Sequence, residues 1–115
     1  MLPDFIQTIQ VNSDQAQFLI HLTADNPCFA GHFDEYPILP GIIQIHWANL
    51  ASQKAFNCLV HGDINQLKFM APIQPPIEII LSIQNLAQKN CISFNYTNSA
   101  GKIFSSGKMS TAVST

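Results

Sequence analysis

The sequence predicts an α+β domain in which an antiparallel β-sheet wraps around one long central α-helix. Three observations predict it. One segment, Gly41 to about Phe56, reads as a helix, and Ile42, Ile43, Ile45, Trp47, Leu50, Ala51 and Phe56 leave little of its circumference polar. A helix that is apolar almost all round must be buried. The remaining periodic segments alternate apolar and polar residues between clusters of turn-forming residues, which is strand patterning. Finally, 115 residues make one domain, spanning 1–115, and leave no room for a second.

The elements follow in order. Phe5 to Val11 mixes β-branched and polar residues near period two, and Asn12-Ser13-Asp14 supplies turn chemistry. Gln17 to Thr23 is the next strand. From Ala24 to Pro40 the chain is irregular, punctuated by Pro27, Gly31, Pro37 and Pro40, and a loop of that length in a compact domain is more often functional than idle. The helix opens at Pro40-Gly41. After it, His61-Gly62-Asp63 reads as a turn, Ile64 to Ile73 as a strand, and Pro75-Pro76 as a break. Ile77 to Ile83 and Cys91 to Thr97 are strands, Asn98-Ser99-Ala100-Gly101 is a turn, and Lys102 to about Val113 is the last strand. Two strands, a long loop, a buried helix and three or four further strands satisfy the helix only if the sheet curls around it. That is the hotdog arrangement.

Composition narrows the function classes. Only 10% of residues are charged, well under the usual quarter or so, which points to a surface covered in part by a second subunit. The net charge is −2, with five lysines and no arginine. Without a basic stripe there is no footprint for phosphate neutralisation, so nucleic acid is excluded as a partner. Cys28, Cys58 and Cys91 are an odd number at wide spacing and suggest neither a disulfide framework nor a zinc site. The N-terminus lacks a basic region followed by an apolar run, and no stretch approaches the roughly 20 apolar residues of a membrane span. The expectation is a cytoplasmic protein with no membrane span.

The chemistry concentrates between Phe29 and Ala48. His32 sits in a loop tied down by prolines and glycines that feeds straight into the N-terminus of the buried helix. The free N–H groups of Gly41 and Ile42, with the positive end of the helix dipole, suit a carbonyl oxygen that gains negative charge. A base beside such a site is what proton abstraction next to a thioester carbonyl requires.

The run Gly31-His32-Phe33, followed by Tyr36-Pro37-Ile38-Leu39-Pro40-Gly41-Ile42, resembles the signature of the FabA/FabZ-type 3-hydroxyacyl-[acyl carrier protein] dehydratases. Leu67-Lys68-Phe69-Met70-Ala71-Pro72-Ile73 is similar to the strand after the helix in that family, and the segment Ile38 to Gln44 is closest to the compact ApeI-like dehydratases of aryl polyene biosynthesis. The resemblance implies a homodimer or hotdog heterodimer with sites at the subunit interface. His32 would remove the C2 proton of a 3-hydroxyacyl chain carried by acyl carrier protein, and the Gly41 and Ile42 amides would polarise the carbonyl. Phe33 and Tyr36 would border the substrate, with Tyr36 as a gate to the pocket, and Trp47 and Phe69, like Met70, would be tunnel wall or core. No metal or organic cofactor is implied.

One departure matters. The family's helix Glu or Asp falls on His46. An imidazolium can donate a proton and hold water, although a neutral imidazole donates poorly. The acid role therefore stays open among His46, the loop carboxylates Asp34 and Glu35, and His32 acting twice. His21 and His61 read as surface or satisfied residues, and Lys54 and Lys68 are weak candidates for meeting an acidic carrier. Two other functions remain open: a hotdog acyl thioesterase, disfavoured because the helix has no Asp or Glu, and a non-catalytic hotdog subunit that completes an active partner.

Overall fold

The structure, a computed structural model, describes residues 3–29, 37–58 and 60–111. Six strands form one antiparallel sheet: β1 (Ile6–Val11), β2 (Gln15–Leu22), β3 (Val60–Phe69), β4 (Ile77–Leu86), β5 (Cys91–Thr97) and β6 (Ile103–Thr111), in the spatial order β1-β2-β4-β5-β6-β3. Helix α1 (Gly41–Phe56) lies between β2 and β3 in sequence and packs against β4 and β3. This is the hotdog fold that the element order predicted.

Alternation accounts for the two faces of the sheet. In β2, Ala16, Phe18, Ile20 and Leu22 are buried while Gln15, Gln17 and His21 are exposed. Register then aligns the apolar sets: Ile20 opposes Ile79, Phe18 opposes Leu81, and Leu81 opposes Tyr96 on the far side. Each such side chain contributes about 1.5–3 kcal/mol on burial. Asparagines close the tight turns. The Asn12 side chain accepts from the Gln15 N–H at 2.9 Å, and that of Asn98 from the Lys102 N–H at 2.9 Å. Gly101 takes φ +86°, a left-handed conformation that costs glycine little.

The helix has the predicted limits because both ends carry stop signals. Pro40 is the extended N-cap, and Asn57 turns left-handed at φ 53° with its N–H on the Gln53 carbonyl. Burial differs from expectation. The sheet covers only one flank, burying Gln44, Trp47, Ala48, Ala51 and Ser52. Ile42, at 76% exposure, shares an outward stripe with His46 and Gln53. An all-round apolar helix demands two covers, and one sheet provides one of them.

Two sequence readings are corrected. The third strand runs Val60–Phe69, not Ile64 to Ile73, and the backbone of His61-Gly62-Asp63 belongs to it rather than to a turn. The strand stops where the Met70 and Ala71 N–H groups both converge on the Phe104 carbonyl, just before Pro72, which has no N–H to donate. Four strands follow the helix. Among the described residues no helix is long and apolar enough to cross a membrane.

Helix and sheet are joined by a buried phenol: Tyr96 of β5 donates to the Gln44 carbonyl at 2.5 Å. Burial holds its pKa well above the ordinary phenol value. The folded chain thus keeps this proton more tightly than the unfolded chain, so its stabilisation is complete below about pH 10 and is lost as pH rises through the raised value. Tyr96→Phe should cost about 1 kcal/mol in urea titrations at neutral pH. It should also flatten the fall of stability above about pH 10 relative to the unsubstituted protein.

Candidate active site

The site is built on the first turn of α1. The first intrahelical bonds run from the Ile43 and Gln44 N–H groups to the Pro40 carbonyl, both at 3.1 Å. Helix geometry therefore supplies no acceptor for the Gly41 and Ile42 N–H groups. They sit at the positive end of the helix, where a developing anion is stabilised. The N-cap residue, Pro40, has no polar side chain with which to cap this end. Beside it opens a cleft of about 320 Å³, with Leu39, Pro40, Gly41 and Gln44 on the helix side and Phe69 and Met70 on the strand side.

Phe69 lies directly over Gly41. A Cβ built on Gly41 would stand 2.6 Å from Phe69 Cζ, so the close approach of ring and backbone requires glycine there. The ring reaches this position through an irregularity in β3. Asn65 opposes Lys108 and Lys68 opposes Ser106, so β3 uses three steps where β6 uses two. The extra residue coincides with Gln66 in the left-handed region at φ 54°. An unbroken alternation from Ile64, which pairs with the buried Met109, would turn Phe69 outward. The bulge reverses the parity and sets Phe69 opposite the buried Ser105.

Behind the first turn lies a polar knot. Gln44 is buried; its Nε2 donates to the Leu39 carbonyl at 3.1 Å and its Oε1 accepts from Ser105 Oγ at 2.6 Å. The Leu39 N–H donates to the Ile73 carbonyl at 2.9 Å. Sequence reasoning passed over Gln44. Its one signal was an amide in the middle of an apolar helix arc, a position that demands partners.

The other expected site residues divide clearly. His32, Phe33 and Tyr36, with Asp34 and Glu35, lie outside the described residues. Gly41 and Phe69 meet at the cleft. His46 is exposed rather than buried, one turn beyond Ile42 on the uncovered stripe of the helix, and neither is on the cleft wall. Trp47 lies in the core, packed edge-to-face on Phe5 with ring centres 5.2 Å apart. His21 pairs with Glu78 at 3.3 Å on the exposed face of the sheet. Burial raises the Cys28 thiol pKa, partly opposed by a backbone hydrogen bond, which keeps it protonated and a poor nucleophile.

Comparisons with known proteins bear on the family and the fold. The family model described as ApeI-like, ApeI dehydratase, matches residues 8–108. The 3-hydroxyacyl-[acyl-carrier-protein] dehydratase FabZ of Streptococcus sanguinis is 22% identical over an alignment that covers 93% of this chain and 84% of that protein. A chain of the dehydratase heterocomplex ApeI:P from Xenorhabdus doucetiae superposes with a TM-score of 0.85 at 28% identity, covering 98% of this chain and all (100%) of that one. Thioesterase superfamily member 2 from Mus musculus has a TM-score of 0.72 at 16% identity, covering 94% and 81%, a likeness of fold alone.

Two outcomes are expected at this cleft. Gly41→Ala should push the half-exposed Phe69 ring aside rather than unfold the chain. In a Phe69→Ala background the same change should instead stabilise by up to about 0.5–1 kcal/mol, because alanine is the better helix residue. Thermal melts of the four proteins in this cycle measure the coupling. Deleting Gln66 should restore regular alternation and release Phe69 from Gly41, and a crystal structure of the deletion would show Phe69 on the outer face. Gln66→Gly should keep the bulge and change stability by no more than about 1 kcal/mol, because glycine adopts the left-handed conformation without strain.

Proposed function

Since the chain belongs to the ApeI-like dehydratase family, we propose that its helix-entry cleft is where a 3-hydroxyacyl thioester, delivered on acyl carrier protein, loses water to give the trans-2-enoyl thioester. The observation that carries this reading is a helix start whose Gly41 and Ile42 amides have no backbone partner among the described residues, with Gly41 on the wall of a cleft under Phe69. Removing a C2 proton makes an enolate whose charge sits on the thioester oxygen, and two amides at a helix N-terminus stabilise that charge. His32, nine residues before Gly41 in the chain, takes the C2 proton. The C3–O bond then breaks, the C2–C3 double bond forms, and a proton supplied to the departing hydroxyl releases water. Fatty-acid-like or aryl polyene chains both offer the apolar tail that the cleft suits.

A second hotdog subunit completes the site. Ile42 at 76% exposure and His46 share a stripe that this chain's own sheet leaves uncovered, and among the described residues β3 pairs on one side only, with β6. A partner packed there would cover Ile42 and bring His46 to the substrate of the neighbouring subunit as the proton donor. The similar Xenorhabdus doucetiae protein is part of a dehydratase heterocomplex, which supports a hotdog partner that is a different chain. The His46 replacement keeps alive the reading in which this chain lends its interface to a more active partner.

Purified protein, alone and mixed with a candidate hotdog partner, should convert 3-hydroxyacyl-carrier protein to the enoyl form, followed by mass spectrometry as loss of one water. His32→Ala should slow this by about 10²–10⁴-fold. His46→Ala should slow it by about 10²-fold, with His46→Glu recovering most of the loss. Release of free carrier thiol without any enoyl product, in every combination, would replace dehydration with thioester hydrolysis.

A further inference from the structure

We propose that Gln44 is a positioning residue, whose side-chain amide holds the helix entry so that the Gly41 and Ile42 N–H groups keep one direction at the positive end of the helix, beside the cleft; this rests on the dehydratase reading above. The argument begins with orientation. The Leu39 carbonyl can only accept, so the Gln44 amide must present its NH₂ end there, at 3.1 Å. Its oxygen then faces Ser105 Oγ, which donates at 2.6 Å. Both Gln44 and Ser105 are buried, so water does not compete for either bond.

The consequence is a peptide pinned at both ends. The Leu39 N–H is held by the Ile73 carbonyl at 2.9 Å and the Leu39 carbonyl by Gln44. Pro40 follows, its φ of −62° set by the ring. Between a fixed Leu39 and the helix, the ψ of Pro40 is the only soft torsion left to steer the Gly41 N–H. Gln44 itself is anchored a third time, where its main-chain carbonyl accepts from Tyr96 at 2.5 Å. One residue thus ties the helix entry to β5 and to β6, which flank each other in the sheet. It does so at a helix start that has no side-chain cap of its own.

Aim matters most when charge develops on the oxygen, so loosening it lowers turnover more than substrate binding. Gln44→Met keeps the length and removes both side-chain bonds. It should lower kcat by about tenfold or more while KM stays within about threefold. Ser105→Ala removes one of the two and should lower kcat in the same direction by less. Gln44→Glu should bring a pH dependence of its own: a protonated carboxyl can donate to the Leu39 carbonyl and an ionised one repels it, so kcat should fall as pH rises. Amide resonances of Gly41 and Ile42 should shift or broaden in Gln44→Met while those of β1 do not. A folded Gln44→Met protein with unchanged kcat, or with unmoved Gly41 and Ile42 signals, overturns the proposal. Should Gln44→Met not fold, Ser105→Ala decides by the same two readouts. Should the unsubstituted protein leave 3-hydroxyacyl thioesters untouched, the dehydratase reading falls, and the amide resonances alone decide the role of Gln44.

Discussion

The hydrogen bonds that moor α1 to the sheet fix everything this chain can offer a substrate. A helix laid on a curved sheet by apolar contact alone is free to slide and roll, because dispersion and burial carry little direction. Direction comes from three oxygens: the Tyr96 hydroxyl on the Gln44 carbonyl, the Ser105 hydroxyl on the Gln44 side chain, and the Leu39 carbonyl that Gln44 grips. They lie at the end of the helix where the free amides are. The far end is held by its Asn57 cap and by partly buried Phe56 and Cys58.

Which parts of this were legible beforehand follows from how local each signal is. The helix limits were readable because Pro40 and Asn57 act on their own neighbours. Cys91–Thr97 was readable because its burial alternates without a break. β3 was misjudged because its irregularities stand between Val60 and Ile64 and between Asn65 and Lys68, where the period-two pattern is interrupted and Gly62-Asp63 imitates a turn. The meeting of Gly41 with Phe69 was half legible: both residues were candidates, but the close approach of the ring depends on a parity change that no propensity signals. Gln44 announced only that it needs partners; which ones stayed hidden because Ser105 is 61 positions away, and nothing in a single sequence couples the two.

The helix illustrates why an apolar pattern predicts burial without naming what does the burying. Ile42 asks for cover as strongly as Trp47, Ala48 and Ala51, yet this chain buries those three, covers Ile43 and Ile45 in part, and leaves Ile42 exposed. The chain also carries few charges to make such a flank comfortable in water. His46 stands on that flank beside the exposed Ile42, in water rather than in the core.

The two irregularities of β3 have a further consequence for assembly. This strand is an outer member of the sheet, and a long flat margin would act as a template for open-ended strand addition. The shifts divide its pairing into short runs around Ile64-Asn65 and Lys68-Phe69. An incoming strand can match such a margin over only a few residues before its groups fall out of step. The kink that turns Phe69 inward thereby also breaks up the rim, which presents no long flat stretch on which strands could stack without end.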